Sequence, residues 1–167
     1  CVYQQASLLS LENIPMARKE LFHRRDYSNG VLFATRGCPG RCDFCTIAVM
    51  YRHKLRKRPI VEVAAEYASF KGKVIIFWDD NIAGDMEYAK GLFRAIAPYR
   101  KWWSSQASIH AGRDDEFLEA AAHSGCKQLF VGLESISQQS MAEVNKRFNR
   151  VEEYFQIIQR IHSIEPD

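Results

Sequence analysis

The sequence has no long apolar run, no leader-like start and little net charge. No stretch approaches the roughly 18 consecutive apolar residues that a membrane span needs, so we expect no membrane-spanning segment. The first residues, Cys1-Val2-Tyr3-Gln4-Gln5, lack the basic, apolar and small-residue regions of a signal peptide. The net charge of +3 is too small for the strongly basic footprint of a typical nucleic-acid-binding domain. We therefore expect neither a membrane nor a nucleic acid as a partner.

Cysteine is also scarce. The chain contains five cysteines, an odd number that does not favour a disulfide framework. There is no second CxxC pair and no pair of histidines of the kind that zinc sites use. A zinc site built from the clustered cysteines would need a fourth ligand such as His53 or Cys126.

Three of the cysteines are clustered. Cys38, Cys42 and Cys45 form a CxxxCxxC pattern, which supplies three thiolates. A four-iron cluster needs four ligands, so three protein ligands leave one iron open, as a catalytic metal site keeps one position open for a small molecule. The spacing therefore favours catalysis over a purely structural role. Such thiolates must stay reduced, which predicts a cytoplasmic location.

Strands and helices alternate along the chain. A buried strand is predicted at residues 31–35, and further strands start near residues 73, 102 and 128, each followed by a helical pattern. This alternation predicts an α/β fold with a parallel sheet. Ligands bind at the carboxyl ends of the strands in such sheets. The candidate site residues follow these strand ends: the cysteine loop, Asp79, Asp80, Asn81, Gln106, Ser108, Glu134 and Ser135.

Helix boundaries and faces are predicted from capping residues and apolar spacing. Asp85, Asp114 and Ser137 are the predicted N-caps of three helices. In the helix that follows Pro59, Glu66 is predicted on the side opposite the apolar residues. In a last helical stretch over residues 151–164, Phe155 is predicted to face inward with Ile158 and Ile161. The strand at residues 73–78 is a continuous apolar run after Lys73, which predicts cover on both faces of the sheet.

The motifs together resemble a known family. The quoted segments are Pro15-x-x-Arg18, Thr35-Arg36-Gly37-Cys38-Pro39, Asp43-Phe44-Cys45, Trp78-Asp79-Asp80-Asn81, Gln106-Ala107-Ser108 and Gly132-Leu133-Glu134-Ser135. They resemble the radical S-adenosylmethionine (radical SAM) superfamily and, within it, the branch associated with cobalamin-binding domains. The resemblance covers about residues 8–164.

The resemblance implies a partial (βα) barrel of six βα units, of which this chain would hold about the first four. Residues 1–29 would be an entry linker from a preceding domain, and residues 30–167 the N-terminal part of the radical SAM core domain. We therefore expect a fragment of a longer protein.

The resemblance also implies the chemistry. Cys38, Cys42 and Cys45 would hold a [4Fe–4S] cluster, and S-adenosylmethionine would chelate the open iron. Reduction would then cleave S-adenosylmethionine to methionine and a 5′-deoxyadenosyl radical. The parent would be a methyltransferase or related C–H functionalising enzyme that acts on a small molecule. It would use a reductant such as flavodoxin or ferredoxin, and cobalamin bound by a domain outside this chain.

Individual roles follow from the same resemblance. Phe44 would lie near the adenine. At least one of Asp79, Asp80 and Asn81 would contact the methionine ammonium, while Glu134 resembles the position that contacts the ribose, with Ser135 beside it or acting as a helix cap. Gln106 and Ser108 are two residues apart on a strand and are predicted to point the same way.

Two other functions stay open. The basic run Arg52-His53-Lys54-Leu55-Arg56-Lys57-Arg58 allows a methylthiotransferase-like enzyme that modifies RNA, although most of the run is predicted to be a solvated loop in which Arg56 or Arg58 pairs with cofactor anions. A non-catalytic iron–sulfur electron-transfer protein is the other alternative.

Overall fold

The computed structural model describes residues 7–21 and 30–164 of the chain. It contains six strands: β1 (Gly30–Leu32), β2 (Thr35–Arg36), β3 (Arg56–Lys57), β4 (Val74–Phe77), β5 (Trp102–Ala107) and β6 (Cys126–Val131). It contains six α-helices: α1 (Thr46–Met50), α2 (Ile60–Ser69), α3 (Met86–Ile96), α4 (Asp115–His123), α5 (Gln138–Glu143) and α6 (Tyr154–Ser163). Single 3₁₀ turns lie at Lys19–Leu21, Ile82–Gly84, Ala97–Tyr99, Ile109–Arg113 and Val151–Glu153.

Four strands form one parallel sheet in the order β1-β4-β5-β6. The two-residue strands β2 and β3 pair antiparallel beside it, and the cysteine loop lies between them. The predicted α/β fold with a parallel sheet is confirmed. Because the four main strands run the same way, their carboxyl ends meet at one edge, which places the candidate residues together.

The core lies between one face of the sheet and helices α2, α3 and α4. Phe77 and Trp103 project from β4 and β5, and their rings meet edge to face with centroids 5.6 Å apart. Phe93 of α3 packs on Trp103, and Phe117 of α4 packs on Phe93. Burying these large rings supplies much of the apolar contact that holds the helices on the sheet.

The predicted N-caps are confirmed. The side chain of Asp85 accepts a hydrogen bond from the N–H of Tyr88 at the start of α3, and Asp114 does the same for Phe117 at the start of α4. The hydroxyl of Ser137 caps α5 by accepting from the N–H of Ser140. Each cap satisfies a backbone N–H that the helix itself leaves unpaired.

Three details differ from the sequence prediction. Phe155 is 70% exposed, and α6 buries Tyr154 and Ile157 instead. The sheet is covered on one face only, so Trp78 at the end of β4 is exposed. Glu66 is buried, because it turns toward Arg58 rather than toward solvent.

The predicted entry linker falls partly outside the described residues, namely at residues 1–6 and 22–29. Residues 7–21 lie along α2, where the backbone N–H of Asn13 donates to the carboxylate of Glu62 and the Lys19 ammonium donates to the Ser69 hydroxyl. Among the described residues, no helix has the length and apolar content needed to cross a membrane.

Candidate functional site

The cysteine loop begins at the end of β2. Gly37 has a φ of +92°, and a Cβ atom there would lie 2.2 Å from the carbonyl oxygen of Lys54, so only glycine fits. Cys38, Cys42 and Cys45 follow as free, half-buried thiols. The N–H of Cys45 donates to the carbonyl of Cys42 at 3.1 Å, which folds the last part of the loop into a turn. Burial raises the pKa of the Cys42 thiol, and the ammonium of Lys146 opposes that shift.

In this structure the three thiols are not arranged around a single metal ion. Among the described residues, no group of three or more His, Cys, Asp or Glu side chains is arranged to hold a metal ion. Cys126 lies at the amino end of β6, away from the carboxyl edge, and the Nδ1 atom of His53 is 3.0 Å from the carbonyl oxygen of Gly40. A four-iron cluster is wider than one ion and separates its thiolates further. Three free thiols on one loop supply three of the four ligands that such a cluster needs and leave one iron open.

Asp79 secures the strand that leads into the loop. Its carboxylate accepts hydrogen bonds from the N–H groups of Ala34 and Thr35, at 3.1 and 2.6 Å, and from the Thr35 hydroxyl at 2.6 Å. Burial raises the pKa of Asp79 to about 6, against these hydrogen bonds, which lower it. The carboxylate is therefore already committed to the protein, which favours a structural role for Asp79 over contact with a ligand.

Asp80 and Asn81 continue from Asp79 and reach the loop itself. One carboxylate oxygen of Asp80 accepts from the N–H of Gly37 at 2.7 Å. The Asn81 side chain accepts from the N–H of Ser108 at 3.0 Å, and its amide nitrogen lies 3.7 Å from the sulfur of Cys38. Three consecutive residues at the end of β4 thus connect the cysteine loop with the end of β5.

Glu134 lies at the same edge, after β6. It has a φ of +65°, and its carboxylate accepts from the ammonium of Lys146 at 2.6 Å. The same ammonium donates to the carbonyl of Gly132 and lies 5.9 Å from the centre of the exposed Phe44 ring. Glu134, Lys146 and Phe44 therefore form one side of the site.

A second link joins the loop to the end of α5. The Asn145 side chain donates to both carboxylate oxygens of Asp43 at 2.8 Å. The N–H of Asp43 donates to the carbonyl of Val144 at 3.1 Å. The residue between Cys42 and Phe44 is thereby fixed to a segment about a hundred positions further along the chain.

The remaining candidates lie at the edge but have fewer contacts with the loop. Gln106 is exposed on the open face of β5. Ser108 takes part through its backbone N–H, as described above. The hydroxyl of Ser135 accepts from the N–H of Ser137, so Ser137 is the helix cap and Ser135 supports the turn before it.

The basic run is only partly a solvated loop. Arg58 is 2% exposed and pairs with Glu66 at 2.7 Å, and it also donates to the carbonyl of Phe33. Arg56 donates to the carbonyl of Leu9 and lies over the Tyr51 ring. The predicted pairing of Arg58 with cofactor anions is thus replaced by a buried ion pair that joins β3 to α2.

Sequence reasoning missed Asn145 and Lys146. Both follow the end of α5, where Asn145 adopts a φ of +55° and Lys146 is buried beside Glu134. No local pattern identifies them, because their partners are Asp43 and the strand end before α5.

Comparison with known proteins identifies the family. The sequence profile of the Radical SAM superfamily matches residues 32–165. The chain belongs to the radical SAM superfamily. The predicted family is confirmed, and with it the two cofactors that radical SAM proteins use, a [4Fe–4S] cluster and S-adenosylmethionine.

Relatives with similar sequences include proteins that are named methyltransferases. The chain is 29% identical over 147 residues to bacteriochlorophyllide d C-12(1)-methyltransferase of Chlorobaculum tepidum, covering 84% of this chain and 32% of the relative. It is 31% identical over 140 residues to cytidylyl-2-hydroxyethylphosphonate methyltransferase of Streptomyces wedmorensis, covering 81% and 26%. The chain therefore spans a third or less of the length of these two relatives.

A solved structure shares the radical SAM fold. The radical S-adenosylmethionine methyltransferase TsrM from Kitasatospora setae superposes with a TM-score of 0.69 at 20% identity, covering 83% of this chain and 28% of TsrM. That TsrM structure contains tryptophan substrate and an S-adenosylmethionine analogue, and another contains cobalamin and a [4Fe–4S] cluster. The likeness confirms the predicted fold, a partial barrel of radical SAM type.

Proposed function

We propose that this chain is the cluster-binding part of a radical SAM methyltransferase. The observation that carries the proposal is the loop with three free thiols at the carboxyl edge of the sheet, joined there to Asp80 and Asn81, with Glu134 at the same edge. Cys38, Cys42 and Cys45 would bind three irons of a [4Fe–4S] cluster, and S-adenosylmethionine would bind the fourth. The relatives that are named methyltransferases support the reaction class.

The bound cofactors supply the hard chemistry, namely reductive cleavage of S-adenosylmethionine to a 5′-deoxyadenosyl radical. The residues of this chain bind and orient. Asp80 keeps carboxylate capacity beyond its bond to Gly37 and suits the methionine ammonium. Phe44 offers an exposed ring to the adenine, and Glu134 can accept from ribose hydroxyls. Gln106 and Ser135 extend the polar edge toward the substrate.

The activity of the whole protein belongs to the same proposal. We infer a parent enzyme that methylates a small molecule, with cobalamin bound by a domain outside this chain, as the bound cobalamin in TsrM suggests. The proposal also includes an external one-electron reductant, such as flavodoxin or ferredoxin, and a cytoplasmic location. RNA modification gains no support, because Arg56 and Arg58 make internal contacts.

Electron paramagnetic resonance of the full-length protein tests the proposal. The protein is reconstituted with iron and sulfide without oxygen, reduced with dithionite, and measured with and without S-adenosylmethionine. We expect a [4Fe–4S] signal that shifts when S-adenosylmethionine is added. Cys42→Ala should lose the cluster, and Cys126→Ala should keep it, because Cys126 lies at the other end of β6.

Two results would contradict the proposal. A cluster whose spectrum does not respond to S-adenosylmethionine would favour an electron-transfer protein. A wild-type protein that binds zinc but assembles no iron–sulfur cluster would favour a structural metal site. If the cluster does respond to S-adenosylmethionine, transfer of a labelled methyl group from S-adenosylmethionine to a small acceptor would establish the reaction class.

A further inference from the structure

Asn81 has an unusual position for a polar side chain. It is 5% exposed and lies between β4 and the turn Ile82–Gly84, under the cysteine loop. Its Oδ1 atom accepts from the backbone N–H of Ser108 at 3.0 Å. A backbone N–H can only donate, so this bond determines which end of the amide is the oxygen.

With Oδ1 assigned, the amide nitrogen of Asn81 must face the other way. There it lies 3.7 Å from the sulfur of Cys38, within the range of an N–H···S hydrogen bond. The backbone N–H of Gly40 approaches the same sulfur at 3.4 Å. Two N–H donors thus converge on one of the three proposed ligand sulfurs.

Hydrogen bonds to a ligating sulfur have a known consequence. A thiolate that accepts N–H donors carries less charge toward the iron, and such bonds are among the features that set the reduction potential of an iron–sulfur cluster. Because the reduced cluster carries one more negative charge than the oxidised one, donors aimed at its sulfurs favour reduction.

We propose that Asn81 is a positioning residue that holds the Cys38 thiolate by an N–H···S bond and raises the reduction potential of the cluster. This inference rests on the proposed function, since it needs Cys38 to be a cluster ligand. This role of Asn81 differs from the predicted contact with the methionine ammonium, because the side-chain nitrogen of Asn81 faces a sulfur and its oxygen already accepts from the N–H of Ser108.

The test is an EPR-monitored redox titration of the cluster in the full-length protein. Asn81→Leu keeps a similar volume and removes the donor. Asn81→Asp keeps the shape and the acceptor for Ser108, but places a carboxylate oxygen beside the sulfur. Asn13→Asp makes the same change at an exposed asparagine near Glu62 and serves as the matched control.

We expect the midpoint potential to become more negative in Asn81→Leu, still more negative in Asn81→Asp, and unchanged in Asn13→Asp. An Asn81→Leu potential equal to the wild-type value overturns the inference. If Asn81→Leu assembles no cluster, the Asn81→Asp variant tests the inference instead. A midpoint potential equal to the wild-type value in Asn81→Asp would overturn it, because a carboxylate in contact with the ligand sulfur must change the potential. Failure of the proposed function is distinct, because the wild-type protein itself would then show either no cluster or a cluster whose spectrum does not respond to S-adenosylmethionine.

Discussion

Buried polar side chains organise the carboxyl edge of the sheet. Asp79, Arg58 and Asn81 are all almost fully buried, and each is paired with a different segment of the chain. A buried polar group is costly unless it is paired, and removal of one partner leaves the other unsatisfied. The effect of a substitution at one of these residues on the stability of the protein should therefore depend on whether its partner is left buried and unsatisfied.

Asp79 should make the stability of the protein depend on pH. Burial raises its pKa from 3.8 to about 6, so between those values the folded state binds a proton that the unfolded chain releases. Raising the pH through this window then lowers the free energy of unfolding, by about 3 kcal/mol from this residue alone. The measurement is urea unfolding at pH values from 4.5 to 7.5 in wild type and Asp79→Asn.

The comparison uses the change in the free energy of unfolding with pH and not its absolute value. The absolute value also falls in Asp79→Asn, because an amide cannot accept all three hydrogen bonds that the carboxylate receives. Relative to Asp79→Asn, the wild type should lose stability as the pH rises. Parallel curves for the two proteins would contradict the raised pKa of Asp79.

Replacing only one partner of the Arg58–Glu66 pair should destabilise the protein. Among the described residues, the Nε and Nη2 atoms of Arg58 have no hydrogen-bond partner, so Glu66 is the acceptor that compensates its buried charge. We expect Glu66→Leu to lower the free energy of unfolding by about 3 kcal/mol. Denaturant unfolding measures this loss.

Two variants provide the controls for the Arg58–Glu66 prediction. Arg94→Ala breaks a pair with Glu116 in which both side chains are more than half exposed, and it should cost less than about 1 kcal/mol. The double variant Arg58→Met with Glu66→Leu should regain much of the loss, because the buried guanidinium is removed together with its partner. Lys19, which lies 3.7 Å from Glu66, is 22% exposed and keeps its bond to Ser69. A double variant as unstable as Glu66→Leu would show that packing, and not charge, dominates.

At the scale of elements, the cysteine loop is held at two points. Asp80 at the end of β4 holds Gly37, and the segment after α5 holds Asp43. Asn145→Gly tests the second link, because glycine keeps the left-handed backbone at this position while the side chain is lost. We expect faster amide hydrogen exchange over residues 40–45 and a loss of about 1 kcal/mol in stability.

The matched control for Asn145→Gly is Gln139→Ala, which removes an exposed hydrogen bond within α5 to Glu143. It should leave exchange in the cysteine loop unchanged. If Asn145→Gly also leaves that exchange unchanged, the bonds to Asp43 do not restrain the loop.

The sequence predicts the elements better than it predicts their contacts. The caps Asp85, Asp114 and Ser137 are local signals, since each acts on an N–H three residues away. The strand ends follow from apolar runs, and parallel pairing alone brings those ends to one edge. The Asp43–Asn145 link has no such signal, because it joins residues that are far apart in sequence.

The sequence also predicts poorly which side chains of a single helix are buried. Phe155 fits an apolar period, yet α6 buries Tyr154 and Ile157 instead. Helical spacing predicts that Glu66 lies opposite the apolar residues, yet its side chain is buried in an ion pair with Arg58. In both cases a partner elsewhere in the fold outweighs the local pattern.

At the scale of the whole molecule, the sheet has one covered face and one open face. Ile75, Phe77 and Trp103 point into the helical layer and are buried. Side chains alternate along a strand, so Trp102 and Phe130 point the other way and are 54% and 55% exposed. Large apolar side chains that share one exposed face mark a contact surface.

The open face should bind a hydrophobic dye when the 167-residue protein is studied alone. The double variant Trp102→Ser with Phe130→Ser removes two of its large side chains without entering the core, so we expect dye fluorescence and concentration-dependent association to fall. Phe155→Ser removes a still more exposed ring from α6, which packs on the helical side, and it should change neither quantity. Equal effects from both changes would mean that the dye reports scattered apolar side chains. A fall confined to the double variant would identify the open face as the contact surface.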